Sequence, residues 1–208
     1  MPQKLDLTTW NRRDHFQFFR RFEEPFFGVC AEVDCTVAYR RAKELRVSFF
    51  LYYLHKSIVA VNQTEPFRYR IEGEEVIVHE RVGASATINR PDGTFGFSYI
   101  KYSEDFETFK QMAQGEIERV RSTTGLQPAV SSEEVIHYSS LPWIKFTALS
   151  HARSFSYADS IPKISFGKMA VVNGRQMMPV SIHVHHALMD GFHVGQHLEL
   201  FQELLSQA

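Results

Sequence analysis

The chain has 208 residues, 44% hydrophobic and 23% charged, an ordinary composition for a folded globular domain. A formal charge of -1 and a pI near 6.8 give no electrostatic reason to expect nucleic acid or an anionic membrane as partner, so a small-molecule ligand is expected. The best apolar run, "VSFFLYYLHKSIVAV", is broken by His55 and Lys56 and falls short of the roughly 18 to 20 residues a membrane span needs, while the opening "MPQKLDLTTW" lacks a signal-peptide core.

"TTWNRRDHFQFFRRF" opens on capping residues and spaces Phe16, Phe19 and Phe22 along one helical face, predicting a short helix. "FFGVCAEVD" reads as a strand. Cys30 and Cys35, read as five strand steps apart, would be separated by roughly 16 Å, too far for a disulfide, and with the missing signal core this points to the cytoplasm. "VAYRRAKELRVSFFLYYLHKSIVAVNQ" reads as one long helix or two consecutive ones, ending before "TEP". "FRYRIEGEEVIVHE" is a hairpin around Gly73, and "SATINRPDGTFGFSYIKYS" is a second, turning at Pro91-Asp92-Gly93. "SEDFETFKQMAQGEIERVRS" is a helix with Ser103 as capping residue and Phe106, Phe109, Ala113 and Ile117 on one face. "WIKFTALSHA", "KISFGKMAVV" and "QMMPVSIHVHH" read as strands. A last helix carries Val194, Leu198, Phe201 and Leu205 at helical spacing.

No repeat, low-complexity tract or linker divides the chain, so a single domain over residues 1–208 is expected. Strands and helices that do not alternate strictly predict an α/β protein, a two-layer sandwich of one mixed sheet with helices packed on one face.

Five of the ten histidines, His183, His185, His186, His193 and His197, fall within fifteen residues. Strand alternation groups Val180, Ile182, Val184 and His186 on one face and Ser181, His183 and His185 on the other. His186 is thereby expected on the apolar side, where burial favours a neutral imidazole suited to general-base chemistry near pH 7. A core histidine satisfied by a backbone carbonyl fits the same pattern. His193 and His197 at i, i+4 have metal-ligand spacing, but no Glu follows the first and no cysteine is near, so no metal is expected. Asp190 can cap the helix that begins with Gly191 and Phe192. The residues alone leave these readings open.

"HHALMDGFHVGQHLELFQELL" resembles the HHxxxDGxH signature of the chloramphenicol acetyltransferase family, and "WNRRDHFQFFRR", "YSSLPWIKF" and "MPVSIHVHH" extend the resemblance in order along the chain. Related CoA-dependent acyltransferases share HxxxDG, but condensation and plant enzymes are double-sized chains and the lipoyl enzymes lack the first motif. The resemblance implies the CoA-dependent acyltransferase fold and transfer of acetyl from acetyl-CoA to a hydroxyl of chloramphenicol or a related small acceptor; the alternatives are a same-fold acetyltransferase for another small hydroxyl or amine acceptor, or a non-catalytic binding protein of this fold. It implies His186 as general base, Ser139 as oxyanion donor, and Asp190 paired with Arg12 to fix the loop. Phe19, Phe27, Phe95, His151 and Ser165 match acceptor-pocket positions, and Lys168 matches a lysine near the CoA site. It further implies a homotrimer with active sites between subunits and a role in antibiotic resistance. Phe19 stands where the drug-inactivating enzymes usually carry tyrosine, His151 and Arg153 fall at apolar positions, and Gln127 falls near an expected phenylalanine.

Overall fold

The computed structural model describes residues 2–126, 133–154 and 159–207; Gln127 lies outside them. In chain order the elements are β1 (Gln3–Lys4), α1 (Arg13–Phe19), β2 (Phe26–Asp34), α2 (Thr36–Glu44), α3 (Phe49–Gln63), β3 (Tyr69–Glu72), β4 (Glu75–Val78), β5 (Gly83–Asn89) and β6 (Phe95–Phe97). They continue with α4 (Phe106–Ser122), β7 (Val135–Leu141), β8 (Lys163–Gly167), β9 (Ala170–Val172), β10 (Arg175–His185) and α5 (Gly191–Ser206).

A mixed sheet runs in the order β2-β10-β8-β7-β5-β6, with β9 paired to β10. β5, β7 and β8 are mutually parallel, while β10 is antiparallel to both β8 and β2. Its apolar face, built from residues such as Ile136, Ile164, Phe166, Val180, Ile182 and Val184, joins the buried cluster under the helices. α2 and α3 supply Ala38, Leu54 and Ile58 to that cluster, and α5 supplies Val194, Phe201 and Leu205. The opposite face carries the polar half of the alternation, and this division gives the two-layer sandwich.

Both hairpins form as expected. Gly73 (φ 59°) and Gly93 (φ 84°) occupy the left-handed region their turns require. The first hairpin, however, does not join the large sheet: β4 pairs with β1 and β3 in a separate three-stranded sheet, so the expectation of one sheet is corrected to two. The helical run after β2 splits because Arg46 adopts φ 55°, which no helix continues, and Val47 N–H closes the end on Ala42 O at 2.9 Å. β2 stops at Asp34, whose carboxylate accepts from Thr36 N–H at 2.9 Å, so Cys35 takes the N-cap position before α2 instead of extending the strand. Both cysteines are free thiols.

Three further expectations are corrected. The cap of α4 is Asp105, which accepts from Thr108 N–H at 2.8 Å; Ser103 Oγ donates instead to Asp105 O. α1 ends at Phe19, which leaves Phe22 beyond the helix and exposed. The strand near "YSSLPW" is Val135–Leu141, and "WIKFTALSHA" is not a strand. Pro142 has no N–H to offer a ladder, and beyond it Trp143 and Ile144 stand exposed.

Candidate active site

β10 ends at His185, one residue before the expected base. The alternation argument therefore stops short of His186, which sits in the turn that follows and is half-buried. His185 is the deeply buried member of the pair: burial, reinforced by the positive charge of Arg153, pushes its pKa down to about 4. Its Nδ1 accepts from Ala187 N–H at 3.2 Å, and its carbonyl accepts from Leu188 N–H at 3.0 Å, so His185 shapes the turn.

His186 is fixed from several sides. Its backbone N–H donates to Pro25 O at 2.8 Å, and its ring Nδ1 lies 3.2 Å from Met189 O. A carbonyl can only accept, so Nδ1 carries the proton and Nε2 is the basic nitrogen. The ring lies parallel to Phe19 at 4.0 Å between centroids and tilted against Phe27 at 4.7 Å. Both phenylalanines thus brace the imidazole directly. Met189 and Pro25 were not legible as contributors, since each acts through its backbone oxygen, which side-chain identity does not reveal.

Arg12 and Asp190, 178 residues apart, form an ion pair. Arg12 Nη2 also donates to His186 O at 3.3 Å, so the guanidinium grips both ends of the turn. Asp190 is at once the α5 cap, accepting from Phe192 N–H at 3.0 Å, and lies 2.9 Å from His193 Nδ1. Burial opposes ionisation of Asp190, but the Arg12 hydrogen bond and charge, joined by His193, hold its carboxyl below the usual value. Capping and pairing coexist in one carboxylate.

A second group of residues assembles in the middle of the sheet. Ser139, Ser165 and Ser181 are register partners on β7, β8 and β10 and form a row across its polar face. Ser140 faces the other way, its Oγ 3.0 Å from Tyr53 OH. His151 crosses over the row, with Nε2 3.5 Å from Ser165 Oγ, and burial with the neighbouring His183 pushes its pKa down to about 4. Arg153 is elsewhere: it pairs with Glu24 and its guanidinium lies 3.8 Å over the Phe26 ring. A cavity of about 640 Å³ opens beside Ser140 and Pro142, with Tyr53, Thr87, Asn89 and Arg121 among its walls. Lys168 is exposed at this same end of β8, just after Gly167, the register partner of Leu141. Phe95 lies on the edge strand β6, opposite Asn89.

The two groups are far apart within one chain. Five residues of β10 separate Ser181 from His186, roughly 16 Å of strand, and two inter-strand steps of roughly 5 Å separate Ser181 from Ser139. Among the described residues no cluster of three or more His, Cys, Asp or Glu side chains is arranged to hold a metal ion. No helix of the described residues is long and apolar enough to cross a membrane.

A mixed sheet covered by helices on one face thus carries, in the turn between its longest strand and the last helix, a histidine held by a carbonyl and left with one basic nitrogen. Residues 2–202 match the family described as chloramphenicol acetyltransferase. Chloramphenicol acetyltransferase 3 of Escherichia coli is 30% identical, with 97% of this chain and 95% of the relative covered. The Proteus mirabilis chloramphenicol acetyltransferase is 26% identical, with 96% and 92% covered. A solved chloramphenicol acetyltransferase structure superposes with a TM-score of 0.92 at 29% identity, covering 99% of this chain and all of the other. A structure from Listeria monocytogenes described as a probable dihydrolipoamide acetyltransferase shares the fold, with a TM-score of 0.68 at 14% identity, covering 98% of this chain and 94% of the other. The chain belongs to the chloramphenicol acetyltransferase family.

Proposed function

We propose that the protein transfers the acetyl group of acetyl-CoA to a hydroxyl of chloramphenicol or of a related small acceptor, by direct attack with His186 as general base. The observation that carries this reading is the geometry of His186: Nδ1 donates to Met189 O, which leaves Nε2 as the proton acceptor. Nε2 takes the hydroxyl proton as the acceptor oxygen attacks the thioester carbon, a contribution of roughly 10² to 10⁴ in rate. Ser139 donates to the resulting oxyanion, worth roughly 10² to 10³. Collapse of the tetrahedral intermediate breaks the C–S bond, and the imidazolium returns its proton to the departing thiolate. Both substrates meet at one base, so no acyl-enzyme is required.

Arg12 and Asp190 hold the turn that aims His186, while Phe19 and Phe27 restrain its ring. Ser165, His151 and Phe95 are assigned to the acceptor side. The cavity beside Ser140 suits the pantetheine arm of CoA, with Lys168 near its phosphates. Because His186 and Ser139 lie far beyond hydrogen-bond reach within one chain, the reading includes a homotrimer in which the base of one subunit meets the serine row of the next. Residues 1–208 act as a single domain in the cytoplasm, and the activity would confer resistance to the antibiotic. The imidazole of His151 beside Ser165 favours a second reading on one point: an acceptor more polar than chloramphenicol.

The test is thiol release from acetyl-CoA by purified protein with chloramphenicol, with the product identified by mass. Turnover that requires the acceptor and disappears in His186→Ala is expected. Turnover that persists in His186→Ala removes the assignment.

A further inference from the structure

The clearest feature outside the machinery described so far is a close approach between β2 and β10. His183 and Gly28 are register partners, and a Cβ placed on Gly28 would lie 2.3 Å from His183 Nε2, 2.6 Å from Cδ2 and 2.8 Å from Cε1. These are the three nearest atoms it would meet. Gly28 has ordinary strand φ, so nothing in its backbone demands glycine. The absent side chain is what lets the imidazole lie flat across β2.

Held there, the ring reaches in two directions. Nδ1 lies 3.3 Å from the Oγ of Ser181, which is fully buried. The ring also meets His151 edge-on at 4.8 Å between centroids. His151 belongs to the strand-free stretch 143–154 that crosses the polar face, and it is the residue that reaches Ser165. His183 therefore joins the crossing stretch to the serine row.

We propose that Gly28 and His183 form a positioning pair: the glycine opens the space, the histidine fastens the 143–154 stretch, and the stretch holds His151 against Ser165 to form the floor of the acceptor site. The inference rests on the functional reading above for its word "acceptor", and on the geometry for the rest. Neither residue touches the reacting atoms.

The experiment uses full-length Gly28→Ala, His183→Ala and the double variant, with chloramphenicol and acetyl-CoA as substrates. Gly28→Ala should displace the ring and raise the acceptor KM roughly 10- to 100-fold, the scale of a small misplacement near a reacting centre. The KM for acetyl-CoA should stay within about twofold, since the pair lies away from the donor cavity. In the His183→Ala background the added methyl meets no ring, so the double variant should match His183→Ala. Additive losses, an unchanged acceptor KM in Gly28→Ala, or equal rises in both KM values would overturn the pairing. A second readout needs no turnover: the ¹³Cε1 signal of His151 in histidine-labelled protein should titrate at low pH in the wild type and move toward ordinary imidazole behaviour in Gly28→Ala. Wild-type protein that fails to acetylate chloramphenicol refutes that acceptor, while an unmoved His151 signal refutes the positioning pair.

Discussion

His197 offers a quantitative test of the packing. It is fully buried on α5, 4.4 Å from the Phe67 ring and 6.3 Å from Phe201, nearly parallel to the latter, and neither ring nitrogen has a hydrogen-bond partner among the described residues. Burial pushes its pKa down to about 3. The unfolded chain protonates this histidine below about 6.5, while the folded protein does not until far lower pH, so the unfolded state binds more protons across the interval. The stability held above pH 6.5 is therefore lost as pH falls through 6.5 toward 3. At about 1.4 kcal/mol per pH unit, the loss reaches about 2 kcal/mol by pH 5 and about 4 kcal/mol by pH 3, against a typical total of about 5 to 15. Urea unfolding of the wild type, His197→Leu and His197→Phe at pH 7.5 and pH 5.0, at one protein concentration, measures this. A packing penalty in either variant is independent of pH and cancels in the difference. The wild type should lose about 2 kcal/mol more than each variant between the two pH values. Equal losses in all three would show that His197 is not kept neutral by its burial.

His186→Ala should lower acetyl transfer by roughly 10² to 10⁴ and keep the fold, whereas His185→Ala should retain far more activity but lose about 1 to 3 kcal/mol of stability, because Ala187 N–H loses its acceptor. Steady-state rates beside thermal melts separate the two, and equal activity would remove the assignment of the base. Asp190→Asn keeps a good cap yet breaks the pair with Arg12, so both activity and melting temperature should fall; a double-mutant cycle with Arg12→Ala should show coupling of about 0.5 to 3 kcal/mol. Strictly additive losses would mean that the two act independently. Incubation with a chelator should change neither activity nor melting temperature, and stoichiometric zinc lost together with activity would reverse that.

The elements legible in the sequence were those with local punctuation. Gly73 and Pro91-Asp92-Gly93 mark their hairpins because left-handed or pre-bent backbone is needed there and nowhere nearby. The long helices follow from apolar spacing over several turns. β7 was hidden because its alternation sets Ile136 and Tyr138 against His137 and Ser139, a short run whose polar half looks like loop until neighbouring strands are in place. β10 ends one residue before His186, and beyond the last strand residue alternation no longer assigns a face, so the parity argument cannot place that ring. The break at Arg46 needed a positive φ in a residue that seldom adopts it. At the site, the contact of Arg12 with Asp190 spans nearly the whole chain, and only the resemblance of the two motifs could bring them together on paper. The space at Gly28 had no sequence signal at all, because its meaning lies in the register with His183.

That register bears on the acceptor. His151 and Arg153 both fall at positions expected to be apolar, but their surroundings differ. Arg153 pairs with Glu24 and lies over Phe26, which pairs with His185, four residues along β10 from the serine row. The register partner of Phe26 thus lies roughly 13 Å of strand from Ser181, so Arg153 is held at the His185 end of β10. His151 is different: it faces Ser165 within the row. An apolar aromatic acceptor seated on that floor would leave the imidazole without solvent and with one distant hydroxyl, a cost of about 1 to 3 kcal/mol. Chloramphenicol should accordingly be acetylated with a KM raised roughly 5- to 150-fold over a chain with an apolar residue at this position. His151→Leu supplies that comparison, since it keeps side-chain bulk and removes the polar ring. The expected result is a lower chloramphenicol KM with the acetyl-CoA KM unchanged, together with weaker discrimination in favour of polar alcohols in a panel of acceptors. If His151→Leu leaves the chloramphenicol KM where it was, the imidazole does not face the acceptor, and the polar character of the serine row serves the packing of the sheet face instead.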